Sequence, residues 1–187
     1  PAEKQVAFVF LDVVGSSRMT EQIGDTNTQK LIGELFFELA VIVERYGGEV
    51  HRYIGDEMVI TWELSHDQEM PDLLAFLAHI FDIVEQQKQR NYPRYGTWAD
   101  VRAGINAGRV LVSEIGDLKR ELVFFGDTIN TAAALQVESK SREVNGLICS
   151  SLYEQLKPSP HFRANHLGEI VIKGKDKRMN STSLTFS

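Results

Sequence analysis

Cysteine is nearly absent from this chain. Cys149 is the only one among 187 residues, so no internal disulfide can form and a reducing compartment, the cytoplasm, is expected. No stretch reaches the roughly 18 apolar residues that a membrane-spanning helix needs. A basic, apolar leader is not seen either, so secretion is not expected and this domain itself should make no membrane contact. Basic residues are the minority: 20 Lys and Arg against 26 Asp and Glu leave a net charge of −6, the wrong sign for a surface that tracks nucleic-acid phosphates. Repeats, low-complexity tracts and long linkers are lacking. What is present, 43% hydrophobic and 25% charged residues, suits a single domain over 1–187 with a proper core. A start at Pro1 rather than Met fits a piece of a larger regulated protein, or a processed terminus.

The pattern of apolar residues predicts mixed structure. "QVAFVFLDVV" (5–14) is a nearly continuous apolar run ending in an acid, as in a buried central strand. "GSS" reads as a turn. From Thr28 to Tyr46 a stripe of Leu31, Leu35, Leu39 and Ile42 predicts a helix, stopped by Gly47-Gly48. "EVHRYI" and "MVITWE" form two strands around a Gly55-Asp56-Glu57 turn, and Pro71 opens a second helix that frays by Pro93. "ADVRAGINAG" and "RVLVSEIG" read as a further strand pair, "RELVFF" as one more strand. Asp127 or Thr128 should cap a helix to about Ser141, with Ile129, Ala133 and Val137 inward. Short strands and one short helix complete the chain. Strands and helices do not alternate strictly, so the fold class is α+β, a mainly antiparallel sheet with helices layered on it.

Two acids stand out by position. Asp12 ends the first strand, and Asp56 sits in the turn of the next strand pair. Were those strands neighbours, the carboxylates would converge and repel unless a cation lay between them. Mg²⁺, which takes one or two carboxylates plus substrate phosphates, meets that need. Gly15 and the small residues after it would let backbone N–H groups approach an anion. Taken singly, either acid could be no more than a cap or turn residue.

Together these residues resemble the class III adenylate/guanylate cyclase catalytic domain, of the bacterial adenylate cyclase type. The resemblance is carried in order by "FVFLDVVGSS", "YGGEVHRYIGDEMVI", "VRAGINAGRV", "FGDTINTAAALQ" and "GEIVIKGKDK". It implies a ferredoxin-like, palm-type sheet with flanking helices. It also implies a homodimer with active sites at the interface, and two Mg²⁺ or Mn²⁺ ions that promote conversion of ATP to cyclic AMP and pyrophosphate. Carried over position by position, the resemblance implies that Asp12 and Asp56 would be the metal carboxylates and that Val13 would offer a backbone carbonyl to the metal. Ser16 and Ser17 would lie where amides hold the triphosphate, Arg109 and Lys173 would bind phosphate, and Asn130 would orient the ribose. Asp12, Asp56 and Arg109 would serve one site while Arg52, Asn130 and Lys173 complete the other. Glu57 should point to the opposite strand face and be structural.

Three positions depart from that pattern. The base-reading lysine is Arg52 and its acceptor partner is Val123, with Glu121 on the same strand face as a substitute acceptor. The arginine expected four residues after Asn130, which steadies charge on the α-phosphate, is Ala134. Turnover should therefore be impaired. Three rival readings are a degenerate dimerising or nucleotide-sensing module, a guanylate cyclase, and a diguanylate cyclase suggested by "RYIGDEM".

Overall fold

The computed structural model describes residues 1–172 and 177–187. Its centre is β1 (Ala2–Val14), flanked by β3 (Glu57–Leu64) and β4 (Asp100–Ile115), both antiparallel to it. Outward from β3 lies β2 (Glu49–Ile54). Beyond β4 come β6 (Gly146–Cys149), β8 (Arg178–Phe186) and β7 (Phe162–Val171), while β5 (Glu121–Phe125) pairs with the far end of β4. The β4–β6 pairing is parallel and the other ladders are antiparallel. The expected α+β class with a mainly antiparallel sheet is what the chain forms.

Alternation along β1 explains its two-sided burial. Ala7, Val9, Leu11 and Val13 enter a core beneath α1 (Ser16–Arg45) and α2 (Leu73–Tyr95), and Val6, Phe8 and Phe10 pack beneath α3 (Asp127–Ser141). A short α4 (Ser150–Gln155) follows β6. Leu31, Leu35, Leu39 and Ile42 are buried as expected, and Gly47, at φ 76°, helps end α1.

The second helix opens on the Asp72 cap and runs through Pro93 to Tyr95, and four further expectations change. α1 begins at Ser16, not Thr28: Gly15 caps it, and a break at Gly24 (φ 83°) separates a short polar piece from the apolar stripe. That first piece buries Met19, too little for periodicity to reveal it. β4 is one strand of 16 residues rather than a strand pair. Gly108 is no turn: its register runs unbroken along β1, and a Cβ there would lie 2.9 Å from Thr128 Oγ1. The cap of α3 is Gly126, so Asp127 is already in the first turn. Ile129 and Ala133 pack partly buried against the core, but Val137 is 57% exposed, and Ala132, Leu135 and Gln136 carry the fully buried face.

Candidate active site

The site grows from the end of β1. The β1–β3 register sets Asp12 directly opposite Glu57, and the β1–β4 register sets it opposite Arg102. Residues directly opposite in an antiparallel ladder share a face. Glu57 therefore lies on the same face as Asp12, correcting the expectation that it points away. Asp56 is in the turn before the ladder, so alternation must be counted from Glu57 and not from Asp56. The Val13 N–H donates to the Asp56 carbonyl (3.1 Å), which fastens the turn to β1.

The acids are held by named donors. Lys140 Nζ, from the last turn of α3, donates to Asp12 Oδ2 at 2.6 Å, and Gln136 Nε2 reaches the same oxygen at 3.4 Å. Ser16 Oγ donates to Asp56 Oδ2 in a short bond. Burial pushes the Asp12 carboxyl up from its ordinary range; Lys140 opposes this, and the Asp56 charge adds to it. Glu57 rises to about 6, chiefly through burial, then through the charges of Asp12 and Asp56. Asp12 takes the Lys140 ammonium, and Asp56 and Glu57 place further carboxylate oxygens nearby, the hard ligand type that Mg²⁺ or Mn²⁺ takes. Among the described residues no three His, Cys, Asp or Glu side chains form a ready cage, so an ion held here must also draw on other oxygens.

Beside Asp56 starts α1. Its first helical bond is Met19 N–H to Gly15 C=O at 2.9 Å, leaving the N–H groups of Ser16, Ser17 and Arg18 ahead of the ladder. Such an end favours anions. Ser17 is exposed in that first turn, whereas the side chain of Val13 is buried.

The remaining candidates stand apart from the acids. Arg109 is opposite Gln5, seven residues from Asp12, or about 23 Å along β1. Its guanidinium pairs with Glu3 at 2.9 Å and its carbonyl accepts from Thr128 Oγ1 at 2.8 Å. Within one chain, then, Arg109 joins the N-terminal end of α3, where Asn130 is exposed, rather than Asp12 and Asp56. Ala134 is partly buried and packs on an apolar cluster containing Leu135, Leu147 and Ile170. Arg52 Nη2 meets Glu121 Oε2 at 3.5 Å, so β5 reaches across to β2; His51 stacks edge-on against Phe124 at 4.7 Å. Burial, then Arg52, holds the His51 imidazole below its usual range. Val123, partly buried, lies two residues from Glu121 on β5. Lys173 lies outside the described residues.

Sequence reasoning missed Lys140 and Gln136 and misplaced Glu57. The i, i+4 spacing of Gln136 and Lys140 put them on one helix face, but nothing in the sequence said that this face meets β1.

A family model described as "Adenylate and Guanylate cyclase catalytic domain" matches residues 1–184, and the chain belongs to that family. It is similar to "Adenylate cyclase 2" of Rhizobium meliloti (strain 1021), with 36% identity over 188 residues covering 99% of this chain and 51% of that protein. The chain thus spans about half the length of that relative. Among solved structures, the adenylyl cyclase CyaB from P. aeruginosa matches with a TM-score of 0.79 at 19% identity, over 100% of this chain and 96% of that one. The guanylate cyclase domain of RhGC from Catenaria anguillulae, in complex with GTP, matches at 0.74 and 22% identity, over 100% and 99%. Both kinds of cyclase share this fold, so the fold does not choose the nucleotide. No helix among the described residues is long and apolar enough to cross a membrane.

Proposed function

We propose that the chain is the catalytic domain of an adenylate cyclase, converting ATP to 3′,5′-cyclic AMP and pyrophosphate. The observation that carries this is the convergence of Asp12 and Asp56 beside the open N-terminus of α1. When bound there, two Mg²⁺ or Mn²⁺ ions would supply activation of the attacking 3′-hydroxyl and a clamp on the phosphates. Asp12, Asp56 and the Val13 carbonyl would hold them. The N–H groups of Ser16 and Ser17 take phosphate oxygens, Arg109 and Lys173 balance phosphate charge, and Asn130 orients the ribose.

A homodimer accounts for the separation of these groups within one chain. Asp12 and Asp56 sit at one end of α3, Asn130 and Arg109 at the other, and a head-to-tail partner would bring unlike ends together. Phe37 (76% exposed), Tyr53 (53%) and Ile54 (51%) lie near Asp56 on α1 and β2 and supply apolar surface for such a partner. We place the domain in the cytoplasm, as the catalytic part of a longer regulated protein.

For the base, Arg52 donates and Glu121 accepts, which restores the donor–acceptor pair that Val123 cannot complete. Such a pair serves the ring nitrogen and exocyclic amine of adenine. The 36% identical relative named an adenylate cyclase favours ATP. The same pair favours a second reading, guanylate cyclase, since arginine donors also suit guanine O6 and N7. Parallel turnover assays with ATP and GTP in Mn²⁺ test both: cyclic AMP as the main product supports the proposal, cyclic GTP as the main product supports the second, and neither product means a domain that does not catalyse.

A further inference from the structure

The only basic group among the described residues that pairs with Asp12 comes from α3, not from the sheet. Arg102 is the nearer candidate by register, directly across β4, yet its Nη1 turns to Asp100 Oδ2 (2.8 Å) and the Val101 carbonyl (3.0 Å). Lys140 instead crosses from the helix to Asp12. The two donors on Asp12 Oδ2 differ in kind. Gln136 is neutral and 2% exposed, so it is fixed in place. The Lys140 side chain is 40% exposed, and its ammonium is a compact charge on a flexible stem that can leave for solvent without disturbing the core.

A divalent ion on Asp12 and Asp56 would meet this ammonium at close range. Like charges that near repel, and water stands ready to take the more mobile one. We propose that Lys140 is the resident counter-ion of the acid cluster, occupying Asp12 while no metal is bound and withdrawing when a divalent ion enters. The inference rests on the metal-site reading above. Lys140 then acts as a positioning residue. It stabilises the metal-free fold against repulsion among Asp12, Asp56 and Glu57, and it sets the metal concentration at which the site fills. The exchange also ties the last turn of α3 to metal occupancy at β1.

Mn²⁺ alone, without nucleotide, is the probe. Free Mn²⁺ is followed by electron paramagnetic resonance in the 187-residue chain, alongside melting curves in chelator and in saturating Mn²⁺. Lys140→Met should bind Mn²⁺ roughly three- to tenfold more tightly, the range open to a partly exposed charged hydrogen bond. It should also melt lower than the parent in chelator and regain the difference in Mn²⁺. Lys140→Arg, which keeps the charge, should stay within about twofold of the parent. Lys140→Gln gives the same test if the methionine variant folds poorly. Unchanged or weaker Mn²⁺ binding in the uncharged variants overturns the exchange while leaving the metal site standing. Mn²⁺ binding that survives Asp56→Asn unchanged overturns the metal site, and the exchange with it.

Discussion

The two ends of α3 are built on different plans. At its C-terminal end, Gln136 and Lys140 close on Asp12, whose place is fixed by ladders on both sides and whose side chain is 15% exposed. At its N-terminal end, Asn130 faces solvent beside Arg109, 67% exposed and paired with Glu3, itself 54% exposed. The Lys140–Asp12 pair is made between a helix and a strand within a single chain. Exposed charges held by surface ion pairs gain little from those pairs and are free to exchange them for a ligand. One end is closed on itself within the chain; the other is open to solvent.

The severest way to break the closed end is to neutralise it. Asp12→Asn or Asp56→Asn should lower kcat at least about a thousandfold, since a bound ion contributes several kcal/mol of transition-state stabilisation. Steady-state assays in Mn²⁺ check this, with circular dichroism to confirm the fold.

Ala134 sharpens the contrast from the other side. Restoring a cation by Ala134→Arg should raise kcat by about 10²–10³, or 2.7–4 kcal/mol, with little change in nucleotide Kd. The partial burial of Ala134 against Leu135 and Leu147 means the new side chain must extend past that cluster, so the lower part of the range is expected. An unchanged kcat would show that another cation already fills the role.

Legibility in the sequence follows the same division. The acids were readable because each ends or interrupts an apolar run, as Asp12 does after "FVFL" and Asp56 between "HRYI" and "MVI". The face of Glu57 was not, because a period-two count fails across a turn whose Gly55 has φ 60°. The continuity of β4 was hidden by Gly108, which looks like a breaker, whereas Gly104 was read within a strand. Gly104 is there because α3 lies on it: a Cβ would come within 2.2 Å of the Gln136 nitrogen. The first helical piece of α1 is polar and buries little, and Lys140 depends on a helix-to-strand contact. No local pattern carries such a contact.

A smaller effect is expected at the Arg52–Glu121 pair, proposed above to read the base. Glu121→Ala should cost about 1–3 kcal/mol in kcat/KM for ATP, the loss of one polar contact. Discrimination of the parent between ATP and GTP should stay under about a thousandfold, or 4 kcal/mol. Competition assays with both nucleotides measure it.

The smallest effect is one of pH. Glu57 is raised from 4.5 to about 6, so the folded chain holds that proton more tightly than the unfolded one. Its contribution to stability is fully present below 4.5 and is lost as pH rises through about 6. Glu57→Gln should flatten that slope and stabilise the metal-free protein at pH 7 by about 1 kcal/mol, a figure discounted for partial exposure. Melting curves in chelator between pH 4.5 and 7 would show a Tm–pH profile as steep as the parent's if the assignment is wrong.

We propose that the two unlike ends of α3 belong to one site shared between two copies of the chain. Mixing Asp56→Asn protein with Asn130→Ala protein, after subunit exchange has been shown by native mass spectrometry, tests it most directly. Each heterodimer would hold one intact composite site, so activity should recover toward about a quarter of the parent's in a randomly exchanged two-fold dimer. A fully exchanged mixture no more active than either variant alone would contradict the shared site.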